Sequence, residues 1–252
     1  MIHCSRLRPA CSTVAFAESR ESGVILQLVG LDAERRSPHG RSRPRCFSDA
    51  ASWAPTTERL VAAGVPVVAI VNPLRGVQHD AAYVASAISQ IEGPVLAVGH
   101  SYGGMIITNA VPHTTNVVGL VYVAAFAPDE GETLAGIVGR SQDSVLTTVV
   151  LPKQFPLDNA SEAAVEFIID PAKFREVFTA DLPQLQSDVY GLSQRQIAAS
   201  ALEDKTGHPA WRDLPSWAAV GTEDKAAGAD VVLSVAHVRA PRSRRSRAHT
   251  SS

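Results

Sequence analysis

The residues best suited to chemistry lie between Pro94 and Gly104, where the sequence is PVLAVGHSYGG. Five mostly apolar residues run directly into Gly99, and Ser101 lies at the centre of a G-x-S-x-G pattern. An apolar, helix-compatible run follows at residues 105–111. The pattern predicts a strand, a sharp turn and a helix, with the serine hydroxyl projecting from the turn as a nucleophile.

The residue types around Ser101 suit this chemistry. Gly99 and Gly103 leave room at the turn, where a Cβ atom would crowd the neighbouring backbone. Tyr102 would begin the helix, and its backbone N–H would point at the oxyanion that forms when a carbonyl is attacked. The alternative is a glycine-rich turn in which Ser101 only caps the helix. The strand before the serine and the helix after it favour the nucleophile.

Helical and extended patterns alternate on both sides of this turn, which predicts an α/β fold with a mostly parallel sheet and flanking helices. Two apolar runs, 65–71 and 117–126, are typical of fully buried strands, whereas residues 1–22 show no periodicity. The predicted helices are 53–63 and 79–91, and the predicted strands are 23–30, 65–71, 94–98, 117–126 and 215–220.

Residues 128–212 interrupt this alternation. They contain helical patches at 160–169, 171–178 and 182–199 and no strong strand pattern. An all-helical insert between two strands of the sheet predicts a lid over the site. Its aromatic residues either line an acyl or aryl pocket or seat the lid on the domain, and both alternatives stay open for Phe155, Phe167, Phe174, Phe178 and Tyr190.

A carboxylate is predicted at the same edge of the sheet as the serine. Asp224 follows the strand at 215–220, within the sequence GTEDK. A loop after a late parallel strand lies at the carboxyl edge of the sheet, where Ser101 also lies. A histidine that is oriented by Asp224 and reaches Ser101 would complete a catalytic set.

The flanks of the chain differ in charge from its centre. The chain of 252 residues has a net charge of −2, but residues 46–238 hold 10 basic and 21 acidic residues. Arginine runs at 35–45 and 239–247 would suit nucleic acid or a membrane surface. Neither run contains aromatics or helical amphipathicity, so solvated flanks that bind neither partner are favoured. The predicted organisation is an irregular basic segment (1–46), a core (47–127 and 213–238), a lid (128–212) and a disordered tail (239–252).

The cysteines and the apolar runs favour a cytoplasmic protein. Cys4, Cys11 and Cys46 show no metal spacing and require no disulfide. The apolar run at 9–17 is short and diluted by polar residues, which argues against a cleaved signal peptide. No window reaches the apolar length of a membrane span. The serine chemistry predicted above needs no metal and no organic cofactor.

Six stretches of the chain resemble the α/β-hydrolase superfamily, in particular the small bacterial esterases close to hydroxynitrile lyases and plant methylesterases. The resemblance runs from about Phe47 to Lys225. It implies that Ser101 is the nucleophile and Asp224 the acid of a triad acting on a small carboxylic ester, with oxyanion N–H groups from Tyr102 and the region of Phe47. The stretches are SDAASWAP (48–55), NPLRG (72–76), VGHSYGGM (98–105), VYVAAFAPDEGET (121–133), DPAKFREVF (170–178) and GTEDK (221–225).

Both ends of the chain depart from this family pattern. The family has an apolar strand and a His-Gly pair just before the segment at Phe47, whereas here basic sequence ends in Pro44-Arg45. The resemblance therefore predicts that terminal strands of the sheet are missing. Beyond Lys225 the family's last strand and late histidine have no clear counterpart, and out-of-frame sequence at both ends would explain these departures.

The catalytic base remains open at this point. His249 lies 25 residues beyond Asp224 and is closest to the family spacing. The other candidates are His237, His100, His113 and His208. Three functions follow: a serine hydrolase acting on an ester, an inactive remnant without a base or a second oxyanion donor, and a lyase on the same scaffold with an acid or base in the lid.

Overall fold

Nine strands and eight α-helices make up the described part of the chain, residues 2–3, 23–28, 53–157 and 163–232, in a computed structural model. The strands are β1 Ile2–His3, β2 Gly23–Leu28, β3 Val67–Val71, β4 Val95–Ser101, β5 Val117–Ala125, β6 Val150–Pro156, β7 Ala163–Ile169, β8 Ile197–Ala198 and β9 Ser216–Gly221. The helices are α1 Ala54–Ala62, α2 Val77–Ser89, α3 Tyr102–Ala110, α4 Leu134–Val138, α5 Leu146–Val149, α6 Phe174–Phe178, α7 Gln184–Leu192 and α8 Ala199–Glu203.

The main sheet contains six of these strands in the order β1-β9-β5-β4-β2-β3. Five of them run parallel, and only β1 is antiparallel, to β9. Helices α1, α2 and α3 connect successive strands, as parallel neighbours require. The predicted α/β fold with a mostly parallel sheet and flanking helices is confirmed.

The N-terminal region corrects two predictions. The strand predicted at 23–30 is confirmed as Gly23–Leu28, and it lies inside the sheet, paired with β3 on one side and β4 on the other. The sheet therefore contains a strand upstream of the basic run, where the resemblance predicts that one is missing. Ile2–His3, within a stretch predicted to be irregular, pairs with Val220 and Gly221 at the opposite end of the sheet. Two-residue pairing depends on a distant partner, and periodicity within a segment does not report it.

The strand β3 is also more exposed than its sequence predicts. Val68 and Val71 are 44% and 45% exposed, and only Ile70 is buried. In the described part of the chain β3 is the last strand at its end of the sheet. A short apolar run does not distinguish a central strand from an edge strand, because both carry the same residue types.

The main core lies between the sheet and the helices α2 and α3. Helix α2 buries Val77, Val84 and Ile88 at helical spacing, and it begins at Val77, two residues before the predicted start at His79. All nine residues of α3 are buried, so this helix is enclosed beneath the turn that contains Ser101. The elbow therefore rests on a fully buried helix, where close packing limits movement.

The lid segment, residues 128–212, is not all-helical, which corrects another prediction. It contains a three-stranded antiparallel sheet in the order β6-β7-β8. Residues 163–169, predicted as part of a helix, pair along their whole length with 150–156. The alanines and the glutamate of this stretch favour a helix locally, but pairing with β6 decides the outcome.

Several predictions fall outside the described residues. These are the roles of Phe47, His237 and His249, the two arginine runs and the tail at 239–252. Within the described residues, no helix combines the length and apolarity needed to cross a membrane.

Candidate active site

Ser101 lies at a strained turn between β4 and α3. Its backbone has φ 49° and ψ −124°, a conformation that non-glycine residues rarely adopt. Two other non-glycine residues of the described part have positive φ, Leu74 and Ala124. Leu74 follows β3 and Ala124 lies near the end of β5, so all three lie at the carboxyl edge of the sheet. Strain clustered in this way is typical of functional sites.

Two glycines make the turn possible. A Cβ atom on Gly99 would lie 2.6 Å from the carbonyl oxygen of Gly103, and one on Gly104 would lie 2.5 Å from that of Phe126. Both obstacles are backbone atoms, which cannot rotate away. The sequence pattern predicts this role for Gly99, which is confirmed, but it does not predict it for Gly104.

Gly99→Ala should therefore destabilise the protein by about 3 kcal/mol or more, because the added methyl group must displace the backbone at the elbow. Gly207→Ala is the matched control, since a Cβ there meets only the Asn109 side chain, at 3.9 Å. Urea unfolding followed by circular dichroism measures both variants. Equal unfolding midpoints for the two variants would contradict the tight turn.

Tyr102 is the first residue of α3, as predicted. Its side chain is 2% exposed, and its hydroxyl donates a hydrogen bond of 3.1 Å to Asp80 Oδ2. Burial, together with the nearby Asp80 carboxylate, raises the pKa of Tyr102 far above its usual value, so the hydroxyl keeps its proton. The first N–H groups of a helix have no acceptor within the helix, so the N–H of Tyr102 is free to bind an anion.

Asp224 lies in the turn after β9. Its Oδ1 atom accepts hydrogen bonds from the backbone N–H groups of Ala226 (2.8 Å) and Ala227 (2.9 Å). Burial raises the pKa of the Asp224 carboxyl, and these two hydrogen bonds oppose the rise. One oxygen is thus committed to the loop, and Oδ2 is left to accept a bond from another group.

The sheet brings Ser101 and Asp224 to the same edge. Ser101 pairs with Ala125 at the end of β5, and Val123 pairs with Ala219 in β9. Strands β4 and β9 therefore lie on either side of β5, so the two strands are about 10 Å apart, which is two strand spacings.

A cavity opens at this edge; the space free of protein atoms is about 700 Å³ and includes the open solvent at its mouth. Its lining includes Ser101 and Tyr102 from the elbow and Ala226 and Ala227 from the Asp224 loop. Apart from these its described lining is apolar, and no charged residue of the described part of the chain lines it; the apolar lining includes Leu74, Phe126, Leu146, Phe167, Phe178 and Leu202. The lid segment therefore forms much of the wall.

The five lid aromatics divide between the two proposed roles. Phe167 and Phe178 line the cavity. Phe174 and Tyr190 are buried in a separate cluster inside the lid segment. The Arg75 guanidinium carbon lies over the ring of Phe155, 4.6 Å from the ring centre.

His79, His100, His113 and His208 make no bond to Ser101 or Asp224. His100 is 1% exposed, and neither ring nitrogen has a hydrogen-bond partner. Burial lowers the pKa of His100 to about 3, so its ring is neutral at ordinary pH. His113 lies in a short 3-10 helix after α3, at the far end from Ser101. His208 bonds Asp213 at 2.7 Å, on the surface. Of the candidates weighed from the sequence, His237 and His249 are left.

The loop between β3 and α2, residues 72–76, is a part of the site that the sequence did not predict. Asp80 accepts the Arg75 N–H on both carboxylate oxygens (3.1 and 3.2 Å), and Leu74 lines the cavity. The Arg75 guanidinium reaches Glu166 in the lid at 2.6 Å. The resemblance included NPLRG, but a lone buried acid in a helix gives no signal in a sequence.

The lid segment is bonded to this loop and to the loop of Asp224. On the first side, Asn72 O accepts from Arg195 (2.6 Å) and Leu74 O from the Ala198 N–H (2.9 Å). On the second, Ser144 Oγ donates to Ala226 O at 2.7 Å. These bonds fix the lid to both walls of the cavity.

Among the described residues, no group of three or more histidine, cysteine, aspartate or glutamate side chains is placed to hold a metal ion.

Comparison with known proteins gives one family and several solved structures of similar fold. The family model described as "Alpha/beta hydrolase family" matches residues 38–250. No curated protein sequence matches this chain.

Three solved structures illustrate the likeness in fold. Polyneuridine aldehyde esterase has a TM-score of 0.65 at 14% identity, covering 87% of this chain and 88% of that chain. Methylesterase MES16 from Arabidopsis has 0.61 at 17% identity, covering 88% and 86%. A pyrethroid hydrolase from Sphingobium faniae JZ-2 has 0.56 at 16% identity, covering 88% and 85%. At these identities the likeness shows the fold alone.

Proposed function

Because this chain belongs to the alpha/beta hydrolase family, we propose that it hydrolyses a small, uncharged carboxylic ester with Ser101 as the nucleophile. The observation that carries the proposal is the strained backbone of Ser101, at φ 49°, beside an apolar cavity that also includes the loop of Asp224. A serine that only caps a helix has no need of this conformation, because N-cap residues usually have φ and ψ in the β region.

The first half of the reaction forms an acyl-enzyme. Ser101 Oγ bonds to the ester carbonyl carbon, its proton passes to a histidine, and the carbonyl electron pair moves to oxygen. The N–H of Tyr102 donates to this oxyanion, with a second donor proposed near Phe47. When the oxyanion re-forms the carbonyl, the carbon–oxygen bond to the alcohol breaks, and the alcohol takes the proton from the histidine.

The second half releases the acid. Water gives a proton to the same histidine and bonds to the acyl carbon, and the Ser101 oxygen leaves with that proton. Asp224 Oδ2 holds the histidine in the tautomer that accepts a proton from Ser101. We propose His249 as this histidine, with His237 as the alternative. No step requires a metal ion or an organic cofactor.

The cavity lining limits the substrate. Its apolar side chains stabilise apolar groups, and among the described residues it offers no cation to pair with a carboxylate or a phosphate. A charged group on the ester would lose its hydrating water on entering this pocket and would gain no ion-pair partner from the described lining. Burying an unpaired charge in this way carries a large free-energy penalty. Neutral esters with an apolar acyl or aryl group are therefore the proposed class.

The test compares two esters of similar size. We expect kcat/KM for p-nitrophenyl butyrate to exceed that for the p-nitrophenyl monoester of succinic acid, which carries a carboxylate, by about 100-fold or more. Leu146→Lys places a cation in the lining and should narrow this ratio, while Leu185→Lys, on an exposed surface of the lid segment, should not. Equal rates for the two esters would contradict the assigned substrate class.

A second candidate function is an inactive remnant of the same fold. It is favoured by His79, His100, His113 and His208, none of which bonds to Ser101 or Asp224. The remnant would fold, bind apolar molecules and leave esters intact. A cytoplasmic location stays a prediction under both functions.

A further inference from the structure

The peptide between Ser101 and Tyr102 has a fixed orientation. Its carbonyl oxygen, that of Ser101, accepts a hydrogen bond of 3.2 Å from the N–H of Phe126, just after β5. A trans peptide is planar, with its carbonyl and N–H pointing in opposite directions. The N–H of Tyr102 therefore points away from β5, toward the side of β4 on which β2 lies. A single hydrogen bond to the carbonyl does not prevent the peptide plane from rotating about the axis of that bond.

The side chain of Tyr102 provides a second anchor for the same peptide. It is rigid, buried, and attached to the residue that carries the N–H. Its hydroxyl bonds Asp80 Oδ2 at 3.1 Å, on the neighbouring helix α2. Helix α3 has no side-chain cap at its start, so no capping side chain holds its first turn.

Asp80 is itself held in place. It is fully buried and accepts the N–H of Arg75 on both oxygens, at 3.1 and 3.2 Å. The exposed ring of His79 contacts Oδ1 at 3.1 Å. A buried carboxylate with several hydrogen bonds is a rigid anchor, because any displacement leaves a buried charge without its partners.

We propose that the hydrogen bond from Tyr102 to Asp80 positions the N–H of Tyr102 for the oxyanion, which makes Asp80 and the Tyr102 hydroxyl positioning groups for ester hydrolysis. This inference rests on the proposed function. The hydroxyl touches neither the substrate nor the reacting atoms and acts through the backbone of its own residue. Precise placement of an oxyanion donor matters because small displacements cost large factors in rate.

Tyr102→Phe tests the proposal, because it removes one oxygen and keeps the ring. We expect kcat for p-nitrophenyl butyrate to fall about tenfold or more, with KM changed less than about twofold. Affinity for an alkyl trifluoromethyl ketone, which forms a tetrahedral oxyanion on the serine, should fall by the same factor as kcat. If the hydroxyl is purely structural, its removal should lower thermal stability and leave kcat and the affinity for the ketone unchanged.

Tyr122→Phe is the matched control. Tyr122 is 4% exposed, and its hydroxyl lies 2.8 Å from Thr108 Oγ1 in the same helix α3. Both variants lose a buried hydrogen bond and should lose similar thermal stability, but only Tyr102→Phe should lose kcat. Asp80→Asn keeps the shape of the anchor and should show the same pattern of losses, so it replaces Tyr102→Phe if that variant does not fold.

The outcomes separate the two proposals. If the wild type is active and the Tyr102→Phe variant keeps its kcat or its affinity for the ketone, the positioning role is overturned and the proposed ester hydrolysis stands. A folded wild type that neither hydrolyses the ester nor binds the ketone overturns both.

Discussion

Ser101→Ala is expected to lower kcat for p-nitrophenyl butyrate by about 10⁴-fold or more. Without the hydroxyl no acyl-enzyme forms, and only binding and the oxyanion donor remain to assist attack by water. The variant should fold normally, since alanine tolerates the same φ about as well as serine does. Its free energy of unfolding should stay within about 0.5 kcal/mol of wild type.

Ser89→Ala is the control for this prediction. Ser89 lies at the end of α2, and its hydroxyl donates to Ala85 O at 2.8 Å. Its removal should leave kcat unchanged. Stopped assays at high enzyme concentration with purified wild type and both variants measure the difference. If Ser101→Ala retains the wild-type kcat, the catalytic serine has been wrongly assigned.

Asp224→Asn should lower kcat by about 10⁴-fold, the loss seen when the acid of a triad becomes an amide. The amide oxygen can still accept from the N–H groups of Ala226 and Ala227, so the loop should keep its shape. The amide NH2 would face the histidine in place of a carboxylate oxygen. It would hold the histidine in the tautomer that cannot accept a proton from Ser101. Asp213→Asn, at an exposed pair with His208, is the matched control and should keep its kcat.

The same variant gives a test by pH. Burial raises the pKa of Asp224 above that of the unfolded chain, so the native state binds the proton more tightly. Between the two pKa values the native state holds more protons, so this group's contribution to stability falls as pH rises. The free energy of unfolding of wild type minus that of Asp224→Asn should decrease as pH rises above the ordinary carboxyl pKa of about 3.9. A difference that stays constant or increases would show that Asp224 is not desolvated.

The elbow could be predicted from the sequence because its determinants are local. A strand, two glycines, a serine and an apolar helix are adjacent in the chain, and they fold as predicted into β4 and α3. The position of Asp224 could be predicted for a similar reason, since the loop after a parallel strand lies at the carboxyl edge of the sheet.

The lid segment could not be predicted because its structure depends on distant partners. Strand β7 has helix-favouring alanines, and its pairing with β6 fixes it as a strand. The role of Asp80 was hidden for the same reason. The sequence shows an acid near the start of a helix, and only the fold brings it to the hydroxyl of Tyr102, 22 residues away.

Labelling of the wild-type protein by a fluorophosphonate tests the catalytic serine most directly, because the reagent bonds only to a serine whose hydroxyl is activated. We predict that the folded protein is labelled, that peptide mass spectrometry finds the adduct on Ser101, and that labelling disappears in Ser101→Ala and falls sharply in Asp224→Asn. Folded wild-type protein without a label, or with the label on another residue, would contradict the assignment and favour the inactive remnant.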